Sequence, residues 1–103
     1  MVKKISEREF EEAKGKEVAV IDFSAEWCGP CKMLAPVLEE VSEEMSECVS
    51  FYNVDVDENP DLAGQFGVTS IPALVILKNG EKADMQVGFQ PKDGIVSFIK
   101  GSL

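Results

Sequence analysis

Histidine is missing from the 103 residues, and cysteine occurs only three times. Without an imidazole the chain cannot build a hydrolytic triad that uses histidine as its base. Nor can it attach haem, since Lys32 follows the Cys28/Cys31 pair where histidine would be required. A closed zinc site needs four ligands, and one further thiol, Cys48, leaves the set short. The odd cysteine count argues against a structural disulfide framework and for a reducing compartment in which thiols do chemistry. Positive charge is scarce too. Ten basic against 19 acidic side chains give a net charge of −9, and no basic cluster interrupts the excess. Phosphate backbones and anionic membranes are poor partners for such a surface, so neither nucleic acid nor membrane binding is expected. No apolar run approaches the roughly 18 residues of a spanning helix. Met1–Glu7 carries two lysines but no apolar targeting core, so the expected location is cytoplasmic. Linkers, repeats and low-complexity tracts are lacking as well, and the length suits a single domain over residues 1–103.

What is present converges on Ala25-Glu26-Trp27-Cys28-Gly29-Pro30-Cys31-Lys32. Upstream, Val18-Ala19-Val20-Ile21-Asp22-Phe23 is a short β-branched run without alternation, which predicts a strand buried on both faces with one acid inside it. Downstream, Leu34, Val37, Leu38, Val41 and Met45 recur at helical spacing, so the cysteines fall where a strand hands over to a helix N-terminus. Two cysteines three apart in a first helical turn face the same side and can close a disulfide. The helix dipole and its unpaired amides favour a thiolate on the outer one, Cys28, expected to be the exposed, first-reacting sulfur with Cys31 a turn inward. Gly29 permits a tight bend, and Pro30 fixes φ where a helix start needs no N–H. Trp27 supplies a flat apolar wall for a docked peptide.

The rest of the chain predicts a strand over 2–5, a capped helix over 7–14 from Ser6-Glu7-Arg8-Glu9, and the core strand over 17–24. A long helix over 31–46, kinked at Pro36, leads to a strand over 49–56 and completes a right-handed βαβ unit. Asn59-Pro60 predicts an N-cap and a brief helix over 60–66 ending at Gly67. Asn79-Gly80 predicts a type I′ hairpin between strands over 73–78 and 82–88, and the apolar face of Ile95, Val96, Phe98 and Ile99 predicts a last helix over 91–101. Asp55-x-Asp57-x-Asn59 opens like a calcium loop, but Pro60 occupies the glycine position and Phe66 the closing glutamate position. Glu39, Glu40, Glu43, Glu44 and Glu47 mark a solvated helix face, and Cys48 a passive small hydrophobe.

Trp-Cys-Gly-Pro-Cys-Lys after a buried Val-Ile-Asp-Phe strand resembles the thioredoxin family. The resemblance extends to Asn59-Pro60, Phe66-Gly67-Val68, Ser70-Ile71-Pro72, Lys78-Asn79-Gly80-Glu81 and Val87-Gly88, nearly the whole chain. It implies an α/β thioredoxin fold, a central mixed sheet of one βαβ unit and a C-terminal hairpin flanked by helices. It also implies a thiol–disulfide oxidoreductase in which Cys28 is the nucleophile and Cys31 resolves the mixed disulfide, with Gly29 and Pro30 between them. Asp22 would then exchange a proton with Cys31, and Pro72 would follow a cis peptide. Trp27, Ile71, Pro72, Val87 and Gly88 would form the substrate surface, with backbone groups of Ile71 pairing to an extended peptide. No bound cofactor is implied. The expected partners are disulfide-containing proteins and a thioredoxin reductase, and the expected state is a monomer.

Three positions depart from the family pattern. Ser24 and Ala73 stand where many relatives have an aromatic residue and a threonine, and Asn53 where many have a lysine directed at the buried aspartate. Asp22 is therefore expected to titrate high, with only a neutral hydrogen bond from Asn53. Two other readings keep the same residues: a non-catalytic binding subunit that uses the apolar patch alone, and a disulfide-forming oxidase, which the Gly-Pro spacer and cytosolic character disfavour.

Overall fold

The computed structural model describes all 103 residues. Five strands form one mixed sheet in the order β1-β3-β2-β4-β5: β1 (Val2–Lys4), β2 (Val18–Ser24), β3 (Ser50–Asp55), β4 (Ala73–Lys78) and β5 (Glu81–Val87). β1, β3 and β2 run parallel, and β4 and β5 are added antiparallel to β2 and to each other. Four helices cover the two faces: α1 (Phe10–Lys14), α2 (Gly29–Glu44), α3 (Pro60–Gln65) and α4 (Lys92–Lys100).

The continuous apolar run of β2 is sorted by the period of two. Ala19, Ile21 and Phe23 join the cluster under α1 and α3, with Phe10, Tyr52, Leu62 and Val75. Val18 and Val20 join the opposite cluster under α2 and α4, with Leu34, Leu38, Val41, Leu74, Ile76, Ile95 and Ile99. Asp22 follows Val18 and Val20 on that second face, so the one acid of the strand lies beneath α2. A strand buried on both sides, its Val, Ile and Phe side chains each contributing about 1.5 to 3 kcal/mol of burial, fixes this register firmly, because a slip of one residue would exchange its faces.

Several expected boundaries move. The first helix is divided into a 3-10 turn over Glu7–Glu9 and α1 proper, and the Glu9 carboxylate accepts hydrogen bonds from the Ser6 N–H (3.0 Å) and hydroxyl (3.1 Å). α2 starts at Gly29 rather than residue 31, because Cys28 itself is the N-cap, and the helix continues through Pro36 without interruption. Asn59 precedes α3 but makes no side-chain cap. Its Oδ1 instead accepts the Glu7 N–H (2.9 Å) and its Nδ2 donates to the Asp55 carbonyl (3.0 Å), tying the start of α3 to the N-terminal turn. The hairpin closes over Asn79 and Gly80, both at positive φ as a type I′ turn requires, and β5 begins at Glu81. Ala83 is the extra residue of a bulge, since Leu77 pairs with Lys82 and Ile76 with Asp84.

α3 ends in a Schellman turn. Gly67 takes φ +70°, its N–H donates to Gly64 (3.1 Å), and the Val68 N–H donates to Ala63 (3.0 Å). This reversal directs Val68–Ile71 back across the end of the sheet, toward the start of α2. The Ile71–Pro72 peptide is cis, as the resemblance implied.

Candidate active site

The site is built by one sharp connection. β2 ends at Ser24, a short turn follows, and Cys28 begins α2 with an extended backbone (φ −87°, ψ 112°) that leaves its side chain directed at the first helical amides. Its Sγ accepts the Cys31 N–H at 3.2 Å, the position of a serine or aspartate oxygen in an ordinary N-cap. Gly29 and Pro30 fill the first two helical positions, where the missing proline N–H costs nothing. Cys28 and Cys31 are paired as a disulfide with Cα atoms 5.2 Å apart.

Both sulfur-bearing residues are only 4% exposed, which corrects the expectation of an open Cys28 above an inner Cys31. In the disulfide the Cys28 sulfur lies over the helix start and packs in a small cluster with Ala25, Cys31, Val56 and Ile71. The asymmetry between the sulfurs is therefore one of position along the helix dipole, not of solvent access in this state.

The apolar surface around the disulfide is supplied by three separate segments. Trp27, 70% exposed, donates its indole Nε1–H to Asp57 Oδ2 at 2.7 Å. Asp57 is held in turn by a tight turn in which Asp55 Oδ1 accepts the N–H groups of Asp57 (2.8 Å) and Glu58 (3.2 Å). The Asp55-x-Asp57-x-Asn59 run that resembled a calcium loop thus braces a tryptophan. Trp27 forms one wall of a groove of about 360 Å³, with Val56, Val68, Thr69, Ser70 and Ile71 as the rest. Val87 pairs with Ala73, and the Gly88 N–H donates to the Pro72 carbonyl at 2.8 Å, which sets the half-exposed Val87 beside the cis-proline loop.

Asp22, on the α2 face of β2, is 4% exposed. Its Oδ1 has no hydrogen-bond partner, while Oδ2 accepts from Asn53 Nδ2 at a long 3.3 Å. That amide is shared with the Asp22 carbonyl (3.2 Å) and the Ser24 hydroxyl (2.8 Å), so Ser24, one of the three departures from the family pattern, competes for the single donor Asp22 has. Burial raises the Asp22 carboxyl to about 6, and the Asn53 hydrogen bond offsets only part of the rise. Two hollows of about 230 Å³ each flank this floor. One is lined by Asp22, Leu38 and Glu39, the other by Cys31, Lys32 and Asp55, and Lys4, Ala35 and Asn53 line both. No three acidic or thiol side chains come together in a group that could hold a metal ion. Nor is any helix long and apolar enough to cross a membrane.

The family model described as Thioredoxin matches residues 1–101. The chain belongs to the thioredoxin family. It is 48% identical over 99 residues to a thioredoxin of Listeria monocytogenes, covering 96% of each chain. To a Bacillus subtilis thioredoxin it is 44% identical over 100 residues, 97% of this chain and 96% of the other. Among solved structures, a thioredoxin from Malassezia sympodialis superposes with a TM-score of 0.90 at 40% identity, over 99% of this chain and 90% of that one. A mutant thioredoxin from Halobacterium salinarum gives 0.90 at 34% identity, over 97% and 88%. With the Cys28/Cys31 pair in disulfide contact at the head of α2, this thioredoxin-family chain is a thiol–disulfide oxidoreductase.

Proposed function

We propose that the chain carries two electrons to protein disulfides in the cytoplasm, with Cys28 as nucleophile, Cys31 as resolving thiol and Asp22 as the group that takes and returns the Cys31 proton. The observation that carries this reading is the N-cap position of Cys28. A sulfur that already accepts the Cys31 amide hydrogen is placed to be held as a thiolate once the disulfide is reduced. That thiolate attacks one sulfur of the substrate disulfide, forming a mixed disulfide and expelling the other substrate sulfur as a thiolate. Cys31 then loses its proton and attacks the Cys28 sulfur, so the internal disulfide forms as the second substrate thiolate leaves. Cys31 and Asp22 line neighbouring hollows that have Lys4, Ala35 and Asn53 in common, and a water in that space would relay the proton between them.

The substrate enters as an extended strand. Trp27 and Ile71 of the groove, with the exposed Val87, Gly88 and the buried Pro72 behind them, would form the apolar docking surface, and the Ile71 backbone pairs with the incoming chain. A thioredoxin reductase restores the dithiol, and the chain acts as a monomer. Reduction of insulin by reductase and NADPH tests the reading: Cys28→Ser should abolish turnover, and Cys31→Ser should accumulate a mixed disulfide through Cys28. A Cys28→Ser, Cys31→Ser double variant with full biological activity would instead show a binding subunit that uses the exposed Trp27 and Val87 patch without redox chemistry.

A further inference from the structure

Lys4 is the one cation that lines both hollows at the floor of the site. Sheet register explains its place. Lys4 of β1 pairs with Asn53 of β3, and Asn53 pairs with Asp22 of β2, so the three share one row across the sheet on the face below α2. Two strand spacings, roughly 10 Å, separate the Lys4 and Asp22 backbones, a span that a four-carbon stem largely closes. On that row Asp22 Oδ1 has no partner, and the shared Asn53 amide reaches only Oδ2.

The hollow that Asp22 lines holds no cation other than Lys4, and Lys32 lines only the adjoining one. From α2 the Asp22 hollow receives Ala35, Leu38 and the carboxylate of Glu39, and from β4 the apolar Leu74 lies opposite in register. The adjoining hollow adds Cys31 and Lys32 from α2, Glu26 from the connection and Asp55 from β3. Glu39 is engaged elsewhere, accepting the Val2 N–H at 3.1 Å. Lys4 is held only by Glu58, Nζ to Oε1 3.5 Å, with the two side chains 57% and 62% exposed. Such a pair is weak and exchanges readily.

We propose that Lys4 is the mobile counter-cation of ionised Asp22, leaving Glu58 for the hollow that Asp22 lines when the buried carboxylate is charged. It touches neither substrate nor sulfur, so it is a positioning residue acting through Asp22. Its significance for catalysis rests on Asp22 being the proton acceptor. The step it assists moves one proton from the Cys31 thiol to the Asp22 carboxylate and no electrons.

Carbon-13 titration of the Asp22 carboxyl in the disulfide form tests the pairing without any turnover. Lys4→Met should raise the Asp22 midpoint by about 0.5 pH unit, the coupling of one partly solvated charge at this range. Lys4→Arg should restore it, and Glu58→Gln, which frees the ammonium, should lower it. Lys3→Met is the control for net charge, since Lys3 is committed to Glu12 (2.7 Å). Coincident midpoints for wild type and Lys4→Met, or an equal shift from Lys3→Met, would overturn the proposal. The pH profile of mixed-disulfide resolution separates the two readings. If the carboxyl midpoint shifts in Lys4→Met but the rate profile does not, the Lys4 pairing stands and Asp22 is not the proton acceptor.

Discussion

Replacing Asp22 by Asn removes the ionisation while keeping the shape. The carboxyl is raised from 3.8 to about 6 by burial, with the Asn53 hydrogen bond opposing. For an acid whose folded value is raised, stability is full below the unfolded value and is lost as pH climbs through the folded one. The loss therefore runs from about pH 4 to pH 6 and is complete above that. A shift from 3.8 to about 6 at 1.36 kcal/mol per pH unit amounts to about 3 kcal/mol at pH 7, and because the group is 4% exposed little solvent screening reduces it. The amide brings two N–H donors to a site where Oδ1 is already unpartnered, a cost of about 1 to 2 kcal/mol that does not vary with pH. Asp22→Asn should thus gain about 1 to 2 kcal/mol over wild type at pH 7. Its advantage should shrink by roughly 2 kcal/mol on going to pH 4. Guanidinium melts of the disulfide form at pH 4, 5, 6 and 7 read both quantities. Single-turnover reduction of a model disulfide should show resolution slowed about tenfold or more, since Cys31 loses its proton acceptor. A variant less stable at pH 7 with no pH-dependent difference, or one that resolves at the wild-type rate, would show that Asp22 is a satisfied structural residue.

Three further outcomes follow from the same geometry. One equivalent of iodoacetamide added to the dithiol at neutral pH should alkylate Cys28 before Cys31, because the N-cap sulfur already faces the first helical amides; mass mapping that finds Cys31 labelled first would reverse the proposed roles. Cys48→Ser should leave insulin reduction near wild type, since this exposed thiol precedes β3 at the end of the sheet opposite the disulfide; a disulfide-linked dimer lost in the variant would give Cys48 an intermolecular role. Gly80→Ala should destabilise the fold by about 1 to 3 kcal/mol in denaturant melts, because Gly80 sits at φ +85° and an added Cβ would lie 3.0 Å from the Lys14 carbonyl oxygen; an unchanged midpoint would mean the turn relaxes freely.

Where local pattern and tertiary demand agreed, the sequence was enough. The β2 run, the helical recurrence from Leu34 to Met45 and the Asn79-Gly80 turn each carry their own structural instruction, and all three elements form where expected. The cis Ile71–Pro72 bond and the proton-exchange role proposed for Asp22 came through resemblance, because neither a proline nor an acid in an apolar run specifies its own function. Cys28 was expected at the surface because a helix N-terminus usually is. What buries it is long-range, the packing of Val56 and Ile71 from two other segments against the disulfide. Asn59 has the composition of an N-cap, yet its side chain joins Asp55 to Glu7, 52 residues away, a bond no local rule could anticipate. Asp57 was visible only as part of a failed calcium loop. The indole it binds lies 30 residues earlier, and an acidic turn gives no sign of which donor it will meet.

The period of two along β2 then explains why the costly residue stands at position 22. An acid at 21 or 23 would enter the cluster under α1 and α3, among Phe10, Leu62 and Val75, on the side of the sheet away from α2. At 22 it shares the α2 face with Val18 and Val20 and lines a hollow there, beside a second hollow lined by Cys31. The helix whose N-terminus stabilises the Cys28 sulfur is therefore also the roof over the acid, and Ala35, one turn beyond Cys31, leaves room between them. Leu34 and Leu38 seal the same helix to the core. Local preference is violated at one residue of an otherwise uniformly apolar strand, and the instability this creates is confined to the ionised form. The thiol chemistry and the proton chemistry proposed for Asp22 are thus joined through a single strand-to-helix connection, whose register positions both.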